Sequence, residues 1–293
     1  MGVDCIPAKT CTLDCIYCEC GATTIRTMER KEYVPASAVI AELTFFLKDK
    51  PRLDFITFGG SGEPTLNSEI GRVARFLKRD FPDYKTALLT NGTLLYLPQV
   101  REAVLPFDCV LPSLDAVSAG VFRSVNRPHE DLDVNLVIEG LIAFSRQYTG
   151  IVLMEIFIVP GINDTPEELG RFKDALLRIN PTRVQLNSLD RPGTVASLKP
   201  APQARLREIA AYLAPLPVEI IARDRIAAAG KAAGDAEATV LSTIRRRPLT
   251  IEDIASLTTL TINDCAAILQ RLCAEGKLAS SVVNNKTFYR VPV

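Results

Sequence analysis

The chain carries, at residues 11–18, the stretch Cys11-Thr12-Leu13-Asp14-Cys15-Ile16-Tyr17-Cys18. Its cysteines have the spacing C-x3-C-x2-C, so three thiolates lie close enough to bind three corners of a cubane iron–sulfur cluster. The fourth iron then has no protein ligand, and an open coordination position is what a catalytic metal site requires. We therefore predict that Cys11, Cys15 and Cys18 hold an oxygen-sensitive [4Fe–4S] cluster.

The alternative for these cysteines is a structural zinc site with Cys20 as the fourth ligand. Structural zinc usually pairs two C-x2-C units from separate loops, and the sequence contains one such unit, so we favour the cluster. Five of the eight cysteines lie in the first twenty residues, which in a cytosolic protein indicates metal or redox chemistry. We interpret the others as non-ligands, several of them behaving as small apolar side chains: Cys5, Cys20, Cys109, Cys265 and Cys273.

Outward from this stretch, short apolar runs alternate with amphipathic helical patterns as far as residue 222. The runs predict strands at 3–7, 55–58, 86–89, 109–111, 152–159, 184–186 and 218–221. The helical patterns include 36–47, 69–79, 134–146, 166–179 and 203–213. Single strands that alternate with helices are typical of parallel βα units. About six such units favour a partial or full barrel over an open sheet.

Polar or glycine-containing turns follow five of these strands in succession. They comprise residues 59–64, Thr90-Asn91-Gly92, Ser113-Leu114-Asp115, residues 160–164 and residues 187–193. In βα barrels the chemistry lies at the C-terminal ends of the strands. Five such turns at one end of the sheet therefore predict that the active site lies there.

The composition changes to small residues at 227–234, which predicts a linker between domains of residues 1–230 and 231–293. The second domain contains helical patterns at 236–245, 251–256 and 262–275, then a hairpin pairing 279–283 with 287–291. This order is typical of a winged helix-turn-helix, with Thr250 and Thr261 as N-caps. We expect this domain to be dispensable for cluster binding. Its predicted core comprises Val240, Leu241, Ile244, Ile254, Leu257, Ile268, Leu269 and Leu272.

The cysteine motif, with the aromatic Tyr17 before its last cysteine, resembles that of the radical S-adenosylmethionine (SAM) superfamily. Residues 59–66, Gly-Gly-Ser-Gly-Glu-Pro-Thr-Leu, resemble the "GGEP" element of that superfamily. The turns at 90–92, 113–115 and 159–164 resemble the elements that follow its later strands. The resemblance covers residues 3–222. It implies an α/β fold, a partial (β/α)6 barrel, to which a C-terminal winged helix-turn-helix domain is appended.

The resemblance also implies a reaction. SAM would bind the open iron through its amino and carboxylate groups, and one electron would cleave it to a 5′-deoxyadenosyl radical that abstracts hydrogen from a substrate. An electron donor such as flavodoxin or ferredoxin is implied. Glycines allow close backbone approach and a carboxylate suits an ammonium group, so Glu63 is expected at the SAM amino group. The residues expected around SAM are Tyr17, Gly60, Gly62, Glu63, Pro64, Asn91, Ser113 and Asp115.

At finer grain, residues 2–11 and Asn126-Arg127-Pro128 resemble an Fe–S oxidoreductase group that includes wyosine-synthesis-like proteins. The tRNA wyosine enzymes use additional cysteines for a second cluster. The five remaining cysteines here lack such a spacing, so wyosine chemistry is not supported. We favour RNA or protein as the substrate, because the appended domain could recognise a macromolecule, and a small molecule stays open. Candidate residues on the substrate side are Arg127, His129, Asn187, Asp190 and Arg191.

A rival hypothesis is an iron–sulfur transcriptional sensor whose winged helix binds DNA. Residues 236–293 contain seven basic and five acidic side chains, and the helix at 262–275 has one Arg against two acids. DNA-binding proteins generally show a basic face, so DNA binding is not expected. The whole chain has 34 basic and 34 acidic residues, which gives no general attraction to nucleic acid or membrane. Without a signal peptide or an apolar run of about 20 residues, we expect a soluble cytoplasmic protein.

Overall fold

The computed structural model describes residues 1–221, 237, 240, 241, 244, 247–258, 260–284 and 286–292. The predicted linker at 227–234 and the boundary at 230 lie outside these residues. The chain forms two compact units. The first comprises Met1–Ile16, Ala22–Ser188 and Ala201–Ile221, and the second comprises Tyr17–Gly21, Leu189–Pro200 and the described part of Ala222–Val293.

The first unit is built on a parallel sheet of seven strands. In sheet order these are β1 (Gly2–Val3), β4 (Ile56–Phe58), β5 (Thr86–Thr90), β6 (Cys109–Pro112), β7 (Ile151–Ile158), β8 (Arg183–Ser188) and β9 (Val218–Ile220). Two further strands of two residues, β2 (Thr10–Cys11) and β3 (Ile25–Arg26), pair with each other. The α/β class is thus confirmed, as is a parallel sheet with one strand for each of the seven predicted runs.

The first strand is shorter than predicted, because the chain leaves the sheet after Val3. The Asp4 carboxylate accepts a hydrogen bond from the backbone N–H of Ile6, which forms a local turn, and Pro7 has no N–H to donate to a neighbouring strand. The predicted strand at 3–7 is therefore wrong from residue 4 onward.

Seven helices accompany the sheet: α1 (Ala36–Leu47), α2 (Ile70–Asp80), α3 (Pro98–Val104), α4 (Ala119–Val125), α5 (Val134–Gln147), α6 (Pro166–Ile179) and α7 (Gln203–Tyr212). A 3-10 turn, Pro64–Leu66, follows β4. The sequence analysis missed α3 and α4, which have seven residues each and show less than two full turns of periodicity.

The two faces of the sheet differ in burial, and this difference positions the site. One face contributes side chains that are almost fully buried in the core, including Phe58, Leu88, Met154, Val184 and Leu186. Their neighbours along the strands point the opposite way and stay partly exposed, among them Leu89, Glu155 and Asn187. The second face is therefore accessible, and it becomes polar toward the C-terminal ends of the strands.

The C-terminal part of the second unit has a small core of its own. It contains α8 (Ile251–Leu257), α9 (Ile262–Ala274) and an antiparallel hairpin of β10 (Ala279–Val283) and β11 (Lys286–Arg290). Leu249 forms an antiparallel bridge with Tyr289. Of the helix predicted at 236–245, the four described residues are helical. All eight predicted core residues belong to this core.

Local details of this part confirm or adjust the sequence analysis. Thr250 and Thr261 are the N-caps of α8 and α9, and each forms a capping box with the Asp three residues later. In the hairpin, Val283 pairs with Lys286, so two residues connect the strands where the prediction had three. Asn284 has a φ of +49°, the left-handed conformation that such short turns require. Among the described residues, no helix is long and apolar enough to cross a membrane.

Candidate active site

The first part of the cysteine loop is fixed by backbone hydrogen bonds to the end of α4 and the residues after it. Asp14 N–H donates to the carbonyl of Asn126 at 2.9 Å, and Ile16 N–H donates to that of Val125 at 2.9 Å. His129 N–H donates to the carbonyl of Thr12, also at 2.9 Å. Contacts within the protein therefore hold the backbone of this part of the loop.

Two side-chain amides point at the sulfur atoms of this loop. Nδ2 of Asn91 lies 3.5 Å from Sγ of Cys11, and Nδ2 of Asn126 lies 3.3 Å from Sγ of Cys15. The backbone N–H of Leu13 also donates to Cys11 Sγ at 3.5 Å. Such N–H donors stabilise the thiolate, which is the form of cysteine that ligates metals.

The third cysteine of the motif belongs to the second unit. The carbonyl of Cys18 accepts hydrogen bonds from Gly21 N–H at 3.1 Å and from the Thr194 hydroxyl at 3.3 Å. The Cys18 side chain is half-buried, as are those of Cys11 and Cys15. The backbone of Cys18 is thus bonded to Thr194 in the segment that follows β8.

The residues present fit an iron–sulfur cluster. Among the described residues, no group of three or more His, Cys, Asp or Glu side chains is placed to bind a single metal ion. In a cubane cluster each cysteine binds a different iron, so the three thiolates need not converge on one atom. Asn126 Oδ1 is buried and has no hydrogen-bond partner among the described residues, which leaves an acceptor for a donor on a bound ligand.

The glycines of the 59–64 turn are required for contacts with the protein itself. A Cβ on Gly60 would lie 2.2 Å from Oδ2 of Asp4, and a Cβ on Gly62 would lie 2.2 Å from the carbonyl oxygen of Thr10. The turn thereby packs against the chain that enters the cysteine loop, and Lys9 N–H donates to the Ser61 carbonyl at 2.7 Å. The approach of a ligand is therefore not needed to explain glycine at these two positions.

Glu63 is the central acceptor of this region, and it is 2 % exposed. Its Oε1 accepts from Thr65 N–H at 2.9 Å, from the Thr65 hydroxyl at 2.5 Å and from the Thr90 hydroxyl at 2.6 Å. Its Oε2 accepts from Asn91 N–H at 2.7 Å. Burial raises the pKa of the Glu63 carboxyl above its usual value, and these four hydrogen bonds oppose that shift. Three donors approach Oε1 and only one approaches Oε2, so Oε2 is the oxygen with room for another donor.

Asn91 connects this carboxylate to the cysteine loop. Its backbone N–H meets Glu63, while its Nδ2 also donates to the Thr12 hydroxyl at 2.8 Å. Its Oδ1 accepts from Thr93 N–H at 3.0 Å. Pro64, the residue after Glu63, is buried at the start of the 3-10 turn. Asn91 and Pro64, both predicted around SAM, therefore have structural roles, and Asn91 links Glu63 to the cysteine loop.

A cleft brings together three of the residues predicted around SAM, because its lining includes Asn91, Ser113, Asp115 and Asn126. Asp115 is 4 % exposed. Its Oδ1 accepts from Phe157 N–H at 2.8 Å, and its Oδ2 accepts from Asn126 Nδ2 at 3.1 Å. The Asn126 amide faces two acceptors, Asp115 and Cys15, so its NH2 group must point toward them.

Asn126 is a site residue that the sequence analysis did not assign to cofactor binding. In the sequence, Asn126 stands out only because Asn126-Arg127-Pro128 resembles a stretch of the Fe–S oxidoreductase group. Arg127, predicted on the substrate side, adopts a φ of +43°, and its guanidinium lies 3.5 Å from Oδ2 of Asp14. Together with His129 it supports the cysteine loop.

Two further residues predicted on the substrate side also have protein partners. Asn187 Nδ2 donates to Oε2 of Glu155 at 2.6 Å on the accessible face of the sheet. The Arg191 side chain is 9 % exposed and forms ion pairs with Glu19 and Asp253 within the second unit. Arg191 is therefore buried among protein carboxylates, whereas Asn187 stays accessible. Asp190 is half-buried in the same unit.

Comparisons with known proteins identify the family of the chain. The family model of the radical SAM superfamily matches residues 5–172. The chain is 31 % identical over 298 residues to a UPF0026 protein of Methanocaldococcus jannaschii, covering 99 % of this chain and 91 % of that protein. It is 31 % identical over 298 residues to a protein of Brachyspira hyodysenteriae named GTPase Obg, covering 100 % of this chain but spanning only 43 % of that protein. A probable RNA methyltransferase of Rhodopseudomonas palustris is 27 % identical over 230 residues, covering 75 % of this chain and 60 % of that protein.

Solved structures resemble the chain at lower identity. A radical SAM methyltransferase from Sphaerobacter thermophilus matches with a TM-score of 0.58 and 18 % identity, over 76 % of this chain and 66 % of the other. The structure of TYW1 with a lysine-pyruvate adduct bound matches with a TM-score of 0.54 and 17 % identity, over 72 % of each chain. At these identities the likeness shows the fold alone.

Proposed function

Since the chain belongs to the radical SAM superfamily and, within it, to the UPF0026 family, it is a radical SAM enzyme that uses a [4Fe–4S] cluster and SAM, and we propose that Cys11, Cys15 and Cys18 hold the cluster. When bound and reduced, the cluster supplies the electron that cleaves SAM to a 5′-deoxyadenosyl radical. The observation that carries the proposal is the pair of amide donors, Asn91 and Asn126, at two of the three sulfur atoms.

For the SAM side, we place the amino group at Oε2 of Glu63, which has capacity for one more donor. A buried carboxylate favours an ammonium partner, since its charge is otherwise met only by neutral donors. Ser113 and Oδ1 of Asn126 line the adjacent cleft and offer contacts to the remaining polar groups of SAM. Tyr17, Gly60, Gly62, Pro64, Asn91 and Asp115 complete the proposed SAM site, mostly by positioning these groups.

Asn126→Leu is expected to lower the reduction potential of the cluster. The hydrogen bond to Cys15 stabilises the more negative, reduced cluster, and leucine has a similar size but no donor. A threefold to tenfold change in the ratio of oxidised to reduced cluster at fixed potential corresponds to a shift of about 30–60 mV for one electron. Redox titration followed by electron paramagnetic resonance measures it.

Asn187→Leu is the matched control for this prediction. Asn187 is likewise an amide side chain with a protein partner, but it is partly buried on the sheet and donates to Glu155. Its potential should equal that of the wild type. Equal potentials in all three proteins would show that the Asn126 amide does not act on the cluster.

We propose that the substrate is an RNA, and that the C-terminal helices and hairpin form a winged helix that helps to recognise it. The relative named as a probable RNA methyltransferase supports an RNA substrate. The order of α8, α9 and the hairpin, with Leu249 bridged to Tyr289, supports the winged helix. Against the DNA-binding sensor, the single Arg of α9, Arg271, pairs with Glu237 and so adds little to a basic face.

An RNA substrate should accelerate formation of 5′-deoxyadenosine. Reconstituted enzyme would be incubated anaerobically with SAM, a flavodoxin or ferredoxin reducing system, and total RNA, RNase-digested RNA or cellular protein. We expect stimulation by intact RNA alone, because only the true substrate captures the radical productively. Stimulation by the protein fraction instead would favour a protein substrate and contradict the RNA proposal.

A further inference from the structure

We propose that Arg191 fastens the segment carrying Cys18 to the C-terminal module, so that the module helps to hold the third ligand of the cluster. The C-terminal module is defined here as the described residues from 237 to 292. The cysteine arm is Tyr17–Gly21, and the bridge segment is Leu189–Pro200. The inference rests on the proposed function, because it takes Cys18 as a ligand. All three pieces belong to the second compact unit.

The bridge segment packs directly on the cysteine arm. A Cβ on Gly193 would lie 2.8 Å from Cα of Tyr17 and 2.9 Å from its carbonyl carbon and oxygen. No side chain fits at that distance from a backbone, so glycine is required at this position. One residue later, the Thr194 hydroxyl donates to the carbonyl of Cys18 at 3.3 Å. Two successive bridge residues therefore contact the backbone on which Cys18 is carried.

Arg191 joins the arm to the module through two of its nitrogen atoms. Its Nε lies 3.4 Å from Oε2 of Glu19, the residue after Cys18. Its Nη1 lies 3.3 Å from Oδ2 of Asp253 and donates to the carbonyl of Pro248 at 2.6 Å. The planar guanidinium carries five donors in a fixed fork, so one side chain can meet these three acceptors at once.

The module end of this connection is itself rigid. Asp253 is the third residue of α8, and its Oδ2 accepts from Thr250 N–H at 3.0 Å as part of the capping box. At the other end of the module, Nδ2 of Asn284 in the hairpin turn donates to the carbonyl of Leu189 at 3.3 Å. The bridge segment is thus held by the first turn of α8 and by the hairpin, two places far apart in the sequence.

On this proposal the C-terminal domain contributes to cluster binding, contrary to the expectation from the sequence that it is dispensable. Removing Arg191 would take a charged donor away from two partly buried carboxylates and a carbonyl, and the loss of such a donor is costly. The arm would then be free to move, and Cys18 would be held less firmly. A macromolecule that displaced α8 on binding would act on Cys18 by the same route, which couples recognition to the cluster.

The test compares iron loss from full-length, anaerobically reconstituted proteins. Arg191→Met keeps the apolar stem but removes every donor, and we expect iron transfer to a chelator at least about tenfold faster than in the wild type, as for other residues that orient metal ligands. Arg205→Met is the matched control. Arg205 forms a comparable pair of ion pairs, with Asp164 at 2.9 Å and Glu208 at 3.0 Å, in the first unit. Its iron loss should stay at the wild-type rate.

A second pair of variants tests the module end without touching the bridge segment. Asp253→Asn should also accelerate iron loss, by about threefold or more, because it removes the charge that Arg191 meets. Asp264→Asn makes the same loss of charge in the equivalent capping box of α9, where Asp264 bonds to Thr261. It controls for a general weakening of the module and should leave the rate unchanged. Unfolding temperatures of the module in both variants complete the comparison.

The outcomes separate this inference from the proposed function. A wild-type protein that binds no cluster would contradict the proposed function itself. A stable wild-type cluster, with Arg191→Met and Asp253→Asn losing iron at the wild-type rate, would overturn only the inference. Equal acceleration by Asp253→Asn and Asp264→Asn would also overturn it, because the effect would then come from module stability and not from Arg191.

Discussion

Replacing Cys11, Cys15 or Cys18 by alanine is expected to abolish the brown iron–sulfur chromophore, whereas the wild-type protein should bind about four irons per chain after anaerobic reconstitution. Each thiolate holds a different iron of the cubane. The C-x3-C-x2-C motif contains no fourth cysteine that could take the place of a missing one. Iron content and the visible absorption spectrum measure the effect. We expect less than one iron per chain in each variant, the largest change of any single substitution considered.

Cys5→Ala and Cys20→Ala are the controls for this result, and both should keep the cluster. Cys5 is 2 % exposed, and burial, together with the charge of Asp4, raises the pKa of its thiol to about 12. At neutral pH it therefore stays protonated, which is not the form that binds iron. Loss of metal in Cys20→Ala, with zinc and no iron in the wild type, would instead identify an all-cysteine zinc site.

Glu63→Gln is expected to weaken SAM binding by about tenfold to a hundredfold while the cluster still assembles. A hydrogen bond to a charged group contributes about 1.5–3 kcal/mol, and each 1.4 kcal/mol corresponds to a factor of ten in affinity. Glutamine keeps the size of the side chain but removes the charge. Its NH2 group would also meet the N–H of Asn91, where two donors repel. Equilibrium binding of SAM to the reconstituted protein measures the loss.

Glutamine tests the SAM contact better than alanine does. Alanine would leave the donors of Thr65, Thr90 and Asn91 without an acceptor and would destabilise the turn beside the cysteine loop. Glu168→Gln is the matched control, since this carboxylate is also buried and accepts from the N–H groups of Val117 and Ser118 at 2.7 and 3.0 Å. SAM affinity that is equal in the wild type and in Glu63→Gln would mean that Glu63 does not meet the amino group.

The sheet could be predicted from the sequence because its strands are short buried runs that end in recognisable turns. All seven runs correspond to strands of the sheet, although the first ends early where Asp4 forms a local turn. The missed helices α3 and α4 are too short for their periodicity to stand out. Local sequence signals therefore predicted those elements that are long enough to show a period or apolar enough to be buried.

The contacts within the site depended on residues far apart in the chain. Asn126 meets Cys15 across 111 positions, and Arg191 meets Asp253 across 62 positions. The turn that contains Arg191 has the composition of an active-site turn. The neighbouring residues in the sequence do not indicate that the Arg191 guanidinium faces two carboxylates. The glycines at 60 and 62 were correctly noted as special, but their partners, Asp4 and Thr10, could be identified only from the fold.

The most direct test of the account is the formation of 5′-deoxyadenosine from SAM by the reconstituted protein under a low-potential reductant. Mass spectrometry after anaerobic incubation detects the product. The account predicts release by the wild-type protein, none by Cys15→Ala, and none when the reductant is omitted. A wild-type protein that carries four irons and binds SAM, yet releases no 5′-deoxyadenosine with or without substrate, would contradict it.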